Sequence, residues 1–174
     1  MNLNIPYMET DNKLLNDAYR IAAGDIVGNI VYYQNGLLTE EKPCMIAGLD
    51  YNTPWTRDTA INIWNALSIL SPEVSKNTLL AVLEEEEGNI YIGGQYWDSI
   101  IWMIGAREYC RFHKDDNFYR LAFEAGRNSV HRLEEDEFDE EDGLFRGPAV
   151  YGDGIAAYPD KYSKCPNQGS GILE

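Results

Sequence analysis

Positive charge is scarce in this chain: 14 Lys plus Arg face 29 Asp plus Glu over 174 residues, a formal net charge of −15 with His neutral. A protein that binds nucleic acid neutralises phosphates with clustered cations, and so acidic a surface repels the backbone, which excludes that class of partner. Cysteine is scarce too. Cys44, Cys110 and Cys165 are odd in number, widely spaced and without a C-x-x-C pair, which excludes a disulfide framework and a structural zinc site. The two histidines, His113 and His131, have no Cys or Ser motif beside them and read as surface or helix-end residues. No apolar run approaches the ~18 to 20 residues that cross a bilayer, so no membrane partner is expected. The opening stretch, residues 1–7, lacks the basic and apolar regions of a secretory signal, which leaves the cytoplasm as the expected compartment. A phosphate loop and a dinucleotide fingerprint are also missing, since Gly169-Ser170-Gly171 opens no helix, and no cofactor is expected.

What is present is a core. With 44% hydrophobic and 12% aromatic residues the chain is too apolar for disorder, and its length suits one domain, residues 1–174. Acid is concentrated in two runs, 84–87 and 134–142, each ending in a glycine. Both read as solvated helix ends relaxing into loops. An EF-hand register before Gly143 would put Phe138 at the first ligand position, so no metal is expected.

Apolar spacing predicts a helix over about 12–23, an irregular or β stretch over 25–33, and four further helices. Residues 57–70 place Ala60, Ile63, Trp64, Leu67 and Leu70 on one stripe. Ser71-Pro72-Glu73 reads as N-cap, N1 proline and first-turn acid of a helix running to about residue 86. Residues 96–112 form the most apolar helix, and Asp115-Asp116 start a fourth that ends near 133. Trp64, Trp102 and Tyr109 read as core. Short turns near Ser71 and Lys114 make antiparallel hairpins, whose long connections gather on the opposite end, where function-bearing chain collects.

Three segments on that end carry candidate chemistry. In Trp55-Thr56-Arg57-Asp58, an indole that can stack on a sugar ring precedes two side chains that can bond vicinal hydroxyls; the same Trp55 and Asp58 also suit a core residue and a first-turn acid. Tyr96-Trp97-Asp98-Ser99 repeats the theme 40 residues later. The glycine-rich stretch 142–154 ends in Tyr151-Gly152-Asp153-Gly154, where an acid between glycines can project into a cleft, or form an Asx turn.

The first segment resembles the W-x-R-D stretch of glucoamylase-like glycoside hydrolases, and the second resembles the Y-W-D-S stretch of trehalase-like hydrolases. Both groups share the six-hairpin barrel. The resemblance implies an all-α fold, αα-hairpins of an (α/α)6 toroid present as a partial, N-terminal part of the barrel with a short β or irregular N-terminal segment. It implies an inverting glycoside hydrolase with Asp153 as proton donor and Trp55, Arg57, Asp58, Trp97, Asp98 and Tyr151 around the sugar. The general base would belong to a C-terminal part of the barrel. Carbohydrate is the expected partner, together with a second copy of the chain packed on exposed helix faces. A helical-repeat interaction module and a non-hydrolytic sugar-binding protein are the alternatives.

Overall fold

A computed structural model describes residues 5–48, 50–94 and 98–145. Helix α1, Lys13–Gly28, starts where the Asn12 side chain accepts hydrogen bonds from the backbone N–H groups of Leu14 and Leu15. It runs past the expected end at residue 23 and through Gly24, because no proline interrupts it. The β stretch expected from residue 25 is therefore only β1, Ile30–Tyr33, which pairs antiparallel with β2, Lys42–Met45.

Strand β2 lies along α4, Pro72–Ala81. The Met45 N–H donates to Thr78 Oγ1 at 2.9 Å and Asn77 Nδ2 donates to the Pro43 carbonyl at 3.2 Å. Before α4 comes a continuous helical segment: α2, Thr56–Asn62, a π-helical stretch, Ile63–Leu67, and α3, Ser68–Leu70. Helix α4 stops five residues short of the expected end. The acidic run is instead a strand, β3, Leu83–Glu86, turned through Glu87 and Gly88 into β4, Asn89–Ile92. Both turn residues have positive φ, 52° and 80°, the backbone of a tight two-residue hairpin.

Helices α5, Asp98–Phe112, and α6, Asp116–Glu137, form the second helical hairpin. Asp115 caps α6, its Oδ1 accepting from the Phe118 N–H at 3.0 Å, while Lys76 Nζ sits 2.6 Å from Oδ2 and ties the turn to α4. The fold closes its described part with β5, Phe138–Asp139, paired to β6, Leu144–Phe145.

The core lies between α4 and the two first helices of the hairpins. Ile63, Leu67, Leu79 and Leu83 pack with Trp102 and Phe118, and the Trp102 indole N–H donates to the Leu79 carbonyl at 3.3 Å. Trp102 and Tyr109 are core as expected, whereas Trp64 is half exposed, because the stripe over 57–70 is wider than the surface that covers it. His113 is not a free surface residue. Its Nε2 lies 2.7 Å from the Ser68 carbonyl and its ring packs on Tyr109.

The all-α expectation is corrected. Helices dominate, but three two-stranded antiparallel sheets are interleaved with them, and the described residues close into neither a barrel nor a toroid. The fold is mixed α and β. The hairpin β3–β4 occupies the segment read as a helix end and a long loop.

Candidate functional site

Three contacts fix how α2 and α5 lie. A Cβ at Gly94 would meet Thr56 and Asp98, a Cβ at Gly105 would stand 2.8 Å from the Ala60 Cα, and His113 reaches Ser68. Contacts that advance together along both segments mean parallel helices with their N-termini side by side. Gly105 allows the close approach, since any side chain there would strike the backbone of α2.

The chain leaving β4 crosses these two N-termini as Gly93-Gly94. Thr56 Oγ1 donates to the Gly93 carbonyl at 2.8 Å. Gly94 has φ +113°, where L residues rarely go, and its missing side chain leaves room for Thr56 Oγ1 and Asp98 Oδ2, both 2.9 Å from the position a Cβ would take. Beneath this crossing Arg57 Nε lies 3.3 Å from Asp98 Oδ1, with side chains only 16% and 5% exposed.

A cleft of ≈ 250 Å³ opens beside the pair, walled by Asn35, Trp55, Glu84, Gly94 and Asp98 among others. Trp55 is 43% exposed and held edge-on by Tyr51, ring centroids 5.7 Å apart. Glu84 Oε1 stands 2.5 Å from where a Gly93 Cβ would be. Since consecutive Cα atoms are 3.8 Å apart, the Glu84 and Asp98 carboxylates are within about 12 Å of each other. The arrangement offers an aromatic face and two carboxylates around one space, one of them ion-paired to Arg57.

Of the residues singled out from sequence, the structure places Trp55 and Asp98 in the wall of the cleft and Arg57 on Asp98. Asp58 is half-buried in the first turn of α2 and is not among the described residues that line the cleft. Trp97, Tyr151 and Asp153 lie outside the described residues. Sequence reasoning missed Glu84, Thr56 and the Gly93-Gly94 crossing. The signal was the Glu87-Gly88 pair between two four-residue segments, a hairpin turn masked by the glutamates before it.

A second cleft, ≈ 340 Å³, touches the same crossing, with Tyr91, Ser99, Arg132 and Glu137 in its walls. The Arg132 guanidinium carbon sits 3.4 Å from the Tyr91 ring centroid, and Nη2 donates to Glu86 at 2.6 Å, which raises the already high pKa of Arg132. Burial and the neighbouring Asp136 charge push the Glu137 carboxyl above its usual range. Among the described residues no group of His, Cys, Asp and Glu is disposed to hold a metal, and no helix is long and apolar enough to cross a membrane. Comparison with protein-family models, curated proteins and solved structures gives no match.

Proposed function

We propose that the cleft beside Trp55 binds carbohydrate and serves the hydrolysis of O-glycosidic bonds. The observation that supports this reading is the Arg57–Asp98 pair, nearly buried and presented next to a half-exposed indole. Sugars offer an apolar ring face to an aromatic and vicinal hydroxyls to a carboxylate. Asp98 Oδ2 accepts from such hydroxyls, Arg57 holds the carboxylate in place through Oδ1, and Trp55 covers the ring.

In glycosidic hydrolysis one carboxylic acid protonates the departing oxygen and a second carboxylate activates water, ~6.5 to 9.5 Å away in the inverting case. Asp153 is our candidate for the acid, on its sequence context alone. Two further readings belong with this one. The protein works in the cytoplasm, which suits the free thiols of Cys44 and Cys110, and it pairs with a second copy through exposed helix faces that include Ile21, Trp64 and Phe123.

The test is calorimetric titration of the chain with neutral mono- and oligosaccharides, run beside Trp55→Ala and Asp98→Asn. Saturable binding weakened at least ~10-fold by either substitution is the expected result. Absence of binding to any neutral sugar overturns the reading. Binding without release of product from activated aryl glycosides, persisting when azide is supplied in place of the missing general base, overturns hydrolysis and leaves a sugar-binding protein.

A further inference from the structure

The two clefts share a wall. Glu84, Gly93 and Gly94 line both, and Glu84 is itself exposed, so its carboxylate faces each space across a crossing that carries no side chains. Of the two clefts, the one of ≈ 250 Å³ falls below and the one of ≈ 340 Å³ stands at the lower end of the ~300 to 1,000 Å³ typical of small-molecule sites, and jointly they lie inside it.

We propose that these clefts are successive subsites of one groove, and that the ligand is an uncharged oligosaccharide passing over Glu84 and the Gly93-Gly94 crossing to reach Tyr91 and Arg132. This rests on the carbohydrate reading above and adds the length and charge of the ligand. The second cleft is built for such a contact. Tyr91 is pinned by Arg132, which is pinned by Glu86, so little side-chain freedom remains to be lost on binding. Glu84, Asp136 and Glu137 supply acceptors for hydroxyls and repel anions. The guanidinium is already engaged by Glu86, so an acidic sugar finds no spare positive charge there. Crossing is possible because both residues of the crossing are glycine. A side chain at Gly93 would run into the Glu84 carboxylate at 2.5 Å and the Val82 carbonyl at 2.8 Å.

The experiment is a titration of the full chain with malto-, cello- and chito-oligosaccharides of increasing length, and with oligogalacturonates as acidic probes. At least one neutral series gains ~10-fold or more in affinity from one unit to three, and oligogalacturonates bind at least ~10-fold more weakly than it does. Tyr91→Ala and Arg132→Gln remove the gain with length and leave monosaccharide affinity unchanged, whereas Trp55→Ala weakens every length. Circular dichroism checks folding; should Tyr91→Ala unfold, Arg132→Gln carries the comparison. Equal affinity at all lengths, or loss of monosaccharide binding in Arg132→Gln, overturns the shared groove while leaving the carbohydrate reading intact. Failure of every series to bind overturns both.

Discussion

Arg57 Nε stands 3.3 Å from Asp98 Oδ1, and this contact joins the first turn of α2 to the first residue of α5 with both side chains largely removed from water. Each charge depends on the other. Replacing Arg57 with Met takes a cation away from a carboxylate whose side chain is only 5% exposed, and breaking a buried pair from one side typically costs ~3 to 5 kcal/mol. Urea unfolding of Arg57→Met is expected to show a loss of that order, and of Arg57→Met/Asp98→Asn a smaller one, since the charge that lost its Arg57 partner is gone as well. Equal losses would mean that the pair is not coupled.

Gly94 sets the height of the crossing over that pair. With φ +113° and both Thr56 and Asp98 at 2.9 Å from a Cβ position, Gly94→Ala combines backbone strain with displacement of Asp98. A non-glycine residue in such a region costs about 1 to 3 kcal/mol. The substitution should lower the unfolding midpoint and also weaken sugar binding, whereas Gly88→Ala, with nothing within 4 Å, should lower the midpoint alone. Unaltered binding in Gly94→Ala would separate the crossing from the site.

How far the sequence disclosed this site depends on the kind of signal each element carries. Ala60, Ile63 and Leu67 recur at helical spacing and are buried, so α2 and its continuation were legible. Ser71-Pro72 marked the start of α4, where Pro72 is the first helical residue and the Ser71 side chain makes no capping bond, and the Asp115-Asp116 charges marked the start of α6, because helix starts are local chemistry. Strand β3 was not legible: Glu84, Glu85 and Glu86 are all exposed, so only Leu83 reports burial and no alternation is visible. That strand is held by its ladder to β4, and β4 in turn by α6, where Asn128 Nδ2 donates to the Ile90 carbonyl and the Ile92 N–H donates to Ser129 Oγ, contacts remote in sequence. Arg57 and Asp98 were legible as types, and Glu84 as a site residue was hidden with its strand.

Asp115 gives the fold an acid limit. Its carboxyl is held below the usual range chiefly by the hydrogen bond from Lys76, then by that from the Phe118 backbone N–H. A depressed folded-state pKa means stability that is fully present above the unfolded value, ~3.9, and lost as pH falls through the lower folded one. Asp115→Asn keeps a capping oxygen and removes the charge, so it should be less stable than the native chain at pH 7 by about 0.5 to 1 kcal/mol, the usual worth of an exposed ion pair and helix-end charge. The difference should shrink below pH 4. A gap independent of pH would assign the loss to packing.

Cys44 is fully buried, and burial lifts its thiol pKa to about 12, with the hydrogen bond to Thr78 opposing. The thiolate is the reactive form, so folded protein should leave Cys44 unmodified. In Cys110→Ser/Cys165→Ser, which retains one thiol, an aromatic disulfide reagent is expected to react at the rate of unfolding and to speed up in denaturant. Prompt stoichiometric reaction in buffer would show that β2 opens readily from α4.

Helix α1 has 16 residues and buries none of them, with Leu14, Ile21 and Val27 exposed by 80, 66 and 41%. Most of a helix's stability in a protein comes from packing an apolar face. Trp64 and Ile69, then Tyr119 and Phe123, stand exposed on the helical hairpins. Apolar surface of this kind is usually covered by another molecule, and two-fold pairing is the commonest way a single chain covers it. Light scattering at rising concentration is expected to give twice the 19.8 kDa chain mass. Leu14→Glu/Ile21→Glu should return it toward the monomer, because a carboxylate buried at the interface is costly. If the native chain stays monomeric at the highest concentration reached, α1 is stabilised within its own chain and the paired form does not exist; if it pairs but the double variant does too, the contact lies on the hairpins around Trp64 or Phe123 instead.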